Sequence, residues 1–170
     1  MPEKLTALKT AMQLEIDGEA YYLKAAGKSI TPFAQKLFRQ LAAEEKIHLK
    51  KIEEIYSTLQ KRAKLPEKLN LVRPSSAIQD VFKKATGKLK DKAPAESSDL
   101  EAIKTAMGME EKSIALYDGL AKEAHSPFTK RFFVLLSYEE RGHYLALFDA
   151  YDYLTDPAAW LEKKEKIMLD

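Results

Sequence analysis

The chain has 170 residues, 45% of them hydrophobic and 32% charged, with a formal net charge of +2. This balance is typical of one globular domain, and the small net charge gives no indication of a nucleic-acid or membrane partner. The chain has no cysteine, which excludes disulfides, thiolate zinc sites, iron–sulfur clusters and cysteine nucleophiles. The charged start MPEKLTALKT lacks the apolar core of a signal peptide. We therefore expect a single domain over residues 1–170 in a reducing, cytoplasmic location.

The first predicted elements form a helical hairpin over about residues 3–60. Apolar residues within 7–26 recur at spacings of three and four, the period of an amphipathic helix. Thr31-Pro32 predicts the start of a second helix, because a hydroxyl side chain caps a helix and proline suits its first position.

A connecting segment over about residues 61–98 follows this hairpin. It carries 10 basic and 4 acidic residues, a net charge of 10 − 4 = +6, and contains one candidate short helix, SAIQDVFKKATGKLK. We expect a solvated connector; the alternative is a basic docking surface for an acidic partner or nucleic acid.

The second half repeats the first. Ser126-Pro127 predicts the second helix of another hairpin, over about residues 99–154, and Asp156-Pro157 predicts a C-terminal helix over about 157–168. We expect this last helix to pack on the bundle, with a dimer contact as the alternative.

An offset of 95 residues superimposes the two hairpins without a gap. Between residues 5–56 and 100–151, 18 of the 52 aligned pairs are identical. This period is too long for a solenoid and indicates a duplicated two-helix unit. Two hairpins joined by about forty residues favour an all-α four-helix bundle with a long crossover between its second and third helices.

The duplicated helices carry a motif that can bind metal. Glu45-x-x-His48 in the first half recurs as Glu140-x-x-His143 in the second. Three residues advance a helix by about 300° and 4.5 Å, so each Glu and His lie on adjoining parts of one face and can converge on one ion.

A matched glutamate lies 30 residues before each motif, at Glu15 and Glu110. Both interrupt an apolar face, where a carboxylate is costly unless it is paired or metal-bound. Two divalent cations would balance four such carboxylates, and oxygen-rich ligation with imidazole favours iron or manganese, with zinc as an alternative. This is the ligand pattern of di-iron carboxylate bundles. The alternatives are ordinary exposed helix pairs, or a duplicated bundle that has lost its metal.

The stretches LEIDGEAYY with EEKIH, and MEEKSIALY with EERGH, resemble the rubrerythrin-like branch of the ferritin-like superfamily. The resemblance covers both hairpins. It implies a ferritin-like fold, two iron ions and six ligands, with the two motif glutamates as bridges between the metals. It also implies that Tyr22 and Tyr117 donate hydrogen bonds to ligand carboxylates, the alternative being simple core packing. The implied ligands are Glu15, Glu45, His48, Glu110, Glu140 and His143.

Two departures from the family are visible. Rubrerythrins proper carry a further carboxylate where this chain has Ser113, whose counterpart in the first half is Gly18. The six-ligand set therefore resembles that of bacterioferritins. Rubrerythrins proper also append a rubredoxin domain, which a chain without cysteine cannot form.

The resemblance implies an oxidoreductase that reduces peroxide or dioxygen and takes its electrons from an external donor protein. A ferroxidase or iron-handling protein is the first alternative, and a non-enzymatic metal-stabilised interaction bundle is the second. We expect a homodimer or higher homo-oligomer.

Overall fold

The computed structural model describes residues 2–61, 76–86 and 97–169, and within these ranges it contains six helices and no strand. The helices are α1 (Pro2–Lys28), α2 (Pro32–Gln60), α3 (Ser76–Thr86), α4 (Ser97–Glu123), α5 (Pro127–Thr155) and α6 (Pro157–Leu169). The predicted all-α class is confirmed. The remainder of the predicted connector, residues 62–75 and 87–96, lies outside the described residues. In the described part of the chain, no helix is both long enough and apolar enough to cross a bilayer.

Each hairpin closes through a three-residue loop whose last residue caps the next helix. The Thr31 hydroxyl accepts a hydrogen bond from the Ala34 amide, and the Ser126 hydroxyl accepts one from the Thr129 amide. Both predicted caps are confirmed. Because the loops are so short, α1 packs antiparallel to α2, and α4 packs antiparallel to α5.

A buried carboxylate ties the two hairpins together. Asp99, in the first turn of α4, accepts hydrogen bonds from the Ile30 amide (3.2 Å), the Thr31 amide (3.0 Å) and the Thr31 hydroxyl (2.8 Å). The loop between α1 and α2 is therefore anchored to the start of the second hairpin.

The buried apolar residues form two clusters, one towards each end of the bundle. On α2, Leu41 belongs to the first cluster and the later residue Ile52 to the second. On α4, Ile103 likewise belongs to the first cluster and the later residue Tyr117 to the second. Thus α2 and α4 run parallel, as the long crossover predicts.

Aromatic side chains hold α3 and α6 on the bundle. Trp160 of α6 stacks on Phe82 of α3, with ring centroids 5.8 Å apart, and meets Tyr153 of α5 edge-on at 5.4 Å. Asp156 caps α6 by accepting from the Ala159 amide at 3.0 Å. The prediction that the C-terminal helix packs on the bundle is confirmed.

Candidate metal centre

A layer of charged side chains lies between the two apolar clusters. It contains all six glutamates and histidines that the repeat singled out, and their exposed fractions are only 0–4%. Each of the four long helices contributes to it. α1 and α4 each supply one glutamate, while α2 and α5 each supply a glutamate and a histidine one turn apart.

The six side chains converge as two overlapping groups. Within each group the nitrogen and oxygen atoms lie within 4.8 Å of one another. Only Glu45 and Glu140 belong to both groups, which is the position that a carboxylate shared by two ions would occupy. The first group is Glu15, Glu45, His48 and Glu140, and the second is Glu45, Glu110, Glu140 and His143.

The histidine rings are oriented so that Nδ1 faces the centre. His48 Nδ1 lies 3.0 Å from a Glu140 oxygen and 3.3 Å from a Glu15 oxygen. His143 Nδ1 lies 3.0 Å from a Glu45 oxygen. The two rings stack with centroids 5.3 Å apart.

Among the described residues, five polar atoms at the centre face one another at 3.0–3.3 Å without the geometry of a hydrogen bond. This is unusual, because buried polar atoms are paired in the large majority of cases. A divalent cation would satisfy oxygen and nitrogen lone pairs that point at one another, so the donor set fits a metal centre. The unpaired atoms are one oxygen each of Glu15, Glu45 and Glu140, and Nδ1 of His48 and His143.

Two further glutamates hold the outer nitrogens of the rings. Glu139 Oε2 lies 3.1 Å from His48 Nε2, and Glu44 Oε2 lies 3.1 Å from His143 Nε2. A carboxylate accepts the Nε2 proton, so the neutral ring keeps its lone pair on Nδ1, the atom that faces the centre. Each contact joins α2 to α5.

This pair of glutamates does not belong to the ligand set predicted from the sequence. The structure buries Glu44 and Glu139. The feature of the sequence that could have identified them is that Glu44 and Glu139 are related by the 95-residue offset. Helical spacing could not identify their partners, because each glutamate contacts the histidine of the opposite hairpin.

The two tyrosines also cross between hairpins. Tyr22 of α1 donates a hydrogen bond to Glu110 of α4, and Tyr117 of α4 donates one to Glu15 of α1. Burial, followed by the charges of these glutamates, raises the pKa of both phenols well above the ordinary value. Both phenols therefore stay protonated and act as donors to candidate ligands.

A profile of the rubrerythrin family matches residues 6–151. The chain belongs to the rubrerythrin family. A solved structure of a hypothetical protein from Pyrococcus furiosus is also similar, with 25% identity over 87% of each chain and a TM-score of 0.60. No curated protein matches.

In the metal-free state, bound protons offset the negative charge of the carboxylates at this rubrerythrin-family centre. Burial and the neighbouring charge of Glu140 raise the pKa of Glu110 to about 8. Burial and the same charge also raise the pKa of Glu45 well above its ordinary value.

The histidines and Glu140 complete this balance. Burial alone would lower the pKa of His48 and His143, but the surrounding carboxylates raise both well above the usual value. Burial would raise the pKa of Glu140, but the two histidines hold it below its ordinary range. Metal binding at this centre must therefore displace protons.

A cavity opens between α1 and α4 and reaches the centre. Its volume is about 180 Å³. Three pairs of its lining residues are related by the 95-residue offset, so both halves of the duplication contribute equivalent positions to it. The lining residues are Leu14, Asp17, Gly18, Tyr22, Glu45, Met109, Glu110, Lys112 and Ser113.

Proposed function

We propose that this chain is a non-haem di-iron oxidoreductase that reduces peroxide or dioxygen with electrons from an external donor protein. The observation that carries the proposal is the set of inward-facing carboxylate oxygens and Nδ1 atoms without hydrogen-bond partners. Membership of the rubrerythrin family supports the same conclusion.

The donor set favours iron or manganese. A mixture of oxygen and nitrogen ligands without sulfur suits iron or manganese better than copper. The oxygen ligands would come from Glu15, Glu45, Glu110 and Glu140, and the nitrogen ligands from His48 and His143. Two divalent ions also match the four negative charges of the carboxylates. When bound as ferrous ions, the two irons supply the two electrons that cleavage of an O–O bond requires.

The protein prepares this centre before any metal enters. Glu44 and Glu139 fix the histidine tautomers through Nε2, and Tyr22 orients Glu110 through a donated hydrogen bond. The apolar clusters on either side exclude water, which strengthens every charge interaction within the layer. The cavity between α1 and α4 provides a path for a small oxidant.

Anaerobic loading with ⁵⁷Fe(II) followed by H₂O₂ or O₂ tests the proposal. Mössbauer spectroscopy counts ferrous and ferric iron, and an electrode measures the oxidant consumed. We expect two irons per chain, with one peroxide consumed for every two irons oxidised. His48→Ala and Glu110→Ala should abolish this reaction; oxidation at the wild-type rate in either variant would refute the assignment.

The same experiment separates the alternatives. Iron uptake that continues well beyond two ions per chain would favour iron handling. Tight zinc that Fe(II) cannot displace would favour a metal-stabilised bundle without redox activity.

A further inference from the structure

We infer that the cavity between α1 and α4 binds small organic hydroperoxides, and that Gly18 gives them access to the carboxylate of Glu45. This inference rests on the proposed function and names its substrate class.

The volume of the cavity exceeds what hydrogen peroxide needs. Water occupies about 30 Å³ in the liquid, and an apolar cavity of about 150 Å³ holds benzene, which has six non-hydrogen atoms. The present cavity, at about 180 Å³, therefore accepts a molecule such as tert-butyl hydroperoxide, which also has six.

The lining of the cavity combines large apolar side chains with polar groups of the centre. Leu14 of α1 and Met109 of α4 supply the apolar part, and Tyr22, Glu45 and Glu110 supply polar atoms of the centre. The exposed side chains of Asp17 and Lys112 also line it. This combination of apolar and polar groups matches a molecule with a hydrocarbon body and a hydroperoxide head. Hydrogen peroxide has no part that could bury against the two apolar side chains.

Gly18 brings the cavity close to Glu45 in one half of the duplication. A Cβ atom at this position would lie 3.3 Å from Glu45 Oε2 and 3.4 Å from its carboxyl carbon. The equivalent position in the second half is Ser113, which carries a side chain. Correspondingly, Glu45 lines the cavity and its counterpart Glu140 is not among the lining residues.

The reaction that follows binding is balanced. The O–O bond of the hydroperoxide breaks, and two electrons from an external one-electron reductant together with two protons give an alcohol and water. In a single turnover, two ferrous ions held by the predicted ligands would supply those two electrons.

Two variants narrow the cavity in different ways. Ser113→Leu fills it with a branched apolar side chain, and Gly18→Ala covers the approach to Glu45. Alanine is a better helix former than glycine, and its Cβ requires only a small shift of the Glu45 carboxylate. We therefore expect Gly18→Ala to fold even if Ser113→Leu does not. Gly119→Ala is the matched control, because a Cβ there meets nothing within 4 Å.

Stopped-flow oxidation of the diferrous protein by tert-butyl hydroperoxide and by H₂O₂ gives two second-order rate constants. We expect both oxidants to react in the wild type. The ratio of the organic to the inorganic constant should fall at least fivefold in Ser113→Leu and at least threefold in Gly18→Ala. In Gly119→Ala this ratio should stay within twofold of the wild-type value.

A binding measurement without turnover completes the test. Titration of tert-butyl alcohol into zinc-loaded protein should shift the Met109 methyl resonance saturably, and Ser113→Leu should abolish the shift. Reaction with H₂O₂ but not tert-butyl hydroperoxide, or no saturable shift, would overturn the substrate class and leave the proposed function standing. If neither hydroperoxide nor O₂ oxidised the diferrous wild-type protein, the proposed function itself would be overturned.

Discussion

The contact between Glu139 and His48 makes the sharpest prediction about the centre. Glu139→Ala removes the acceptor 3.1 Å from His48 Nε2, in a pair that is almost fully buried. The ring then loses the partner that fixes its tautomer, and a buried N–H without a partner costs about 1–3 kcal/mol. Loss of a group that orients a metal ligand typically weakens binding by about 10- to 100-fold, or about 1.4–2.7 kcal/mol.

Glu139→Gln separates orientation from charge. The amide oxygen can still accept from Nε2, so the ring keeps its position while the negative charge is lost. We expect this variant to fall between wild type and Glu139→Ala in metal affinity. Glu44→Ala should reproduce the loss at His143, because its carboxylate accepts from that ring in the same way.

The assay is a competition titration of Co(II) or Zn(II) against a chromophoric chelator. Glu53→Ala, at an exposed glutamate of α2, is the matched control and should bind metal as wild type does. Circular dichroism checks that each variant remains helical. Wild-type affinity for two ions in Glu139→Ala would refute the idea that this glutamate positions the histidine.

Three further predictions concern stability. Asp99→Ala removes the acceptor of three hydrogen bonds that anchor the first hairpin loop, and it should lower the free energy of unfolding in urea by about 2–3 kcal/mol. Trp160→Ala leaves a hole between α3, α5 and α6, and the same measurement should show a loss of about 3–5 kcal/mol. Metal-free protein should melt at progressively lower temperature between pH 5 and pH 8. The raised pKa of Glu110, about 8 against 4.5 when unfolded, makes the folded state bind more protons across this range, so stability falls as pH rises.

Each of these predictions has a result that contradicts it. An unchanged urea midpoint in Asp99→Ala would mean that the loop anchor is not coupled to folding. A loss below about 1 kcal/mol in Trp160→Ala would mean that α6 adds little to the core. If the melting temperature of the metal-free protein rose from pH 5 to pH 8, this would contradict the claim that the folded centre binds more protons than the unfolded chain. Metal-loaded protein is the control, because its ions replace these protons.

The duplication made much of the fold predictable. Thr31-Pro32, Ser126-Pro127 and Asp156-Pro157 mark helix starts through local chemistry, which a sequence displays directly. The long crossover followed from chain length alone. Within it, the candidate helix over residues 76–90 is helical from Ser76 to Thr86, while residues 87–90 lie outside the described part of the chain.

The candidate centre was predictable where the ligands share a helix or a repeat position. Contacts between the two hairpins could not be predicted from the sequence, because they depend on how α2 packs against α5 and how α1 packs against α4. Glu139 is therefore missing from the predicted site, although it accepts a hydrogen bond from His48. Asp99 has no equivalent acidic residue in the first half, so the repeat gave no signal for it. Gly18 looked like a lost carboxylate position, and only the structure shows how closely it approaches Glu45.

Metal stoichiometry tests the central claim most directly. Protein is loaded anaerobically with Fe(II), freed of loosely bound metal, and assayed for iron and protein. Two irons per wild-type chain are expected, and Glu140→Ala should hold fewer than two because its carboxylate belongs to both ligand groups. Retention of no iron by the wild type, or of two irons by Glu140→Ala with unchanged affinity, would contradict a dinuclear centre built on these residues.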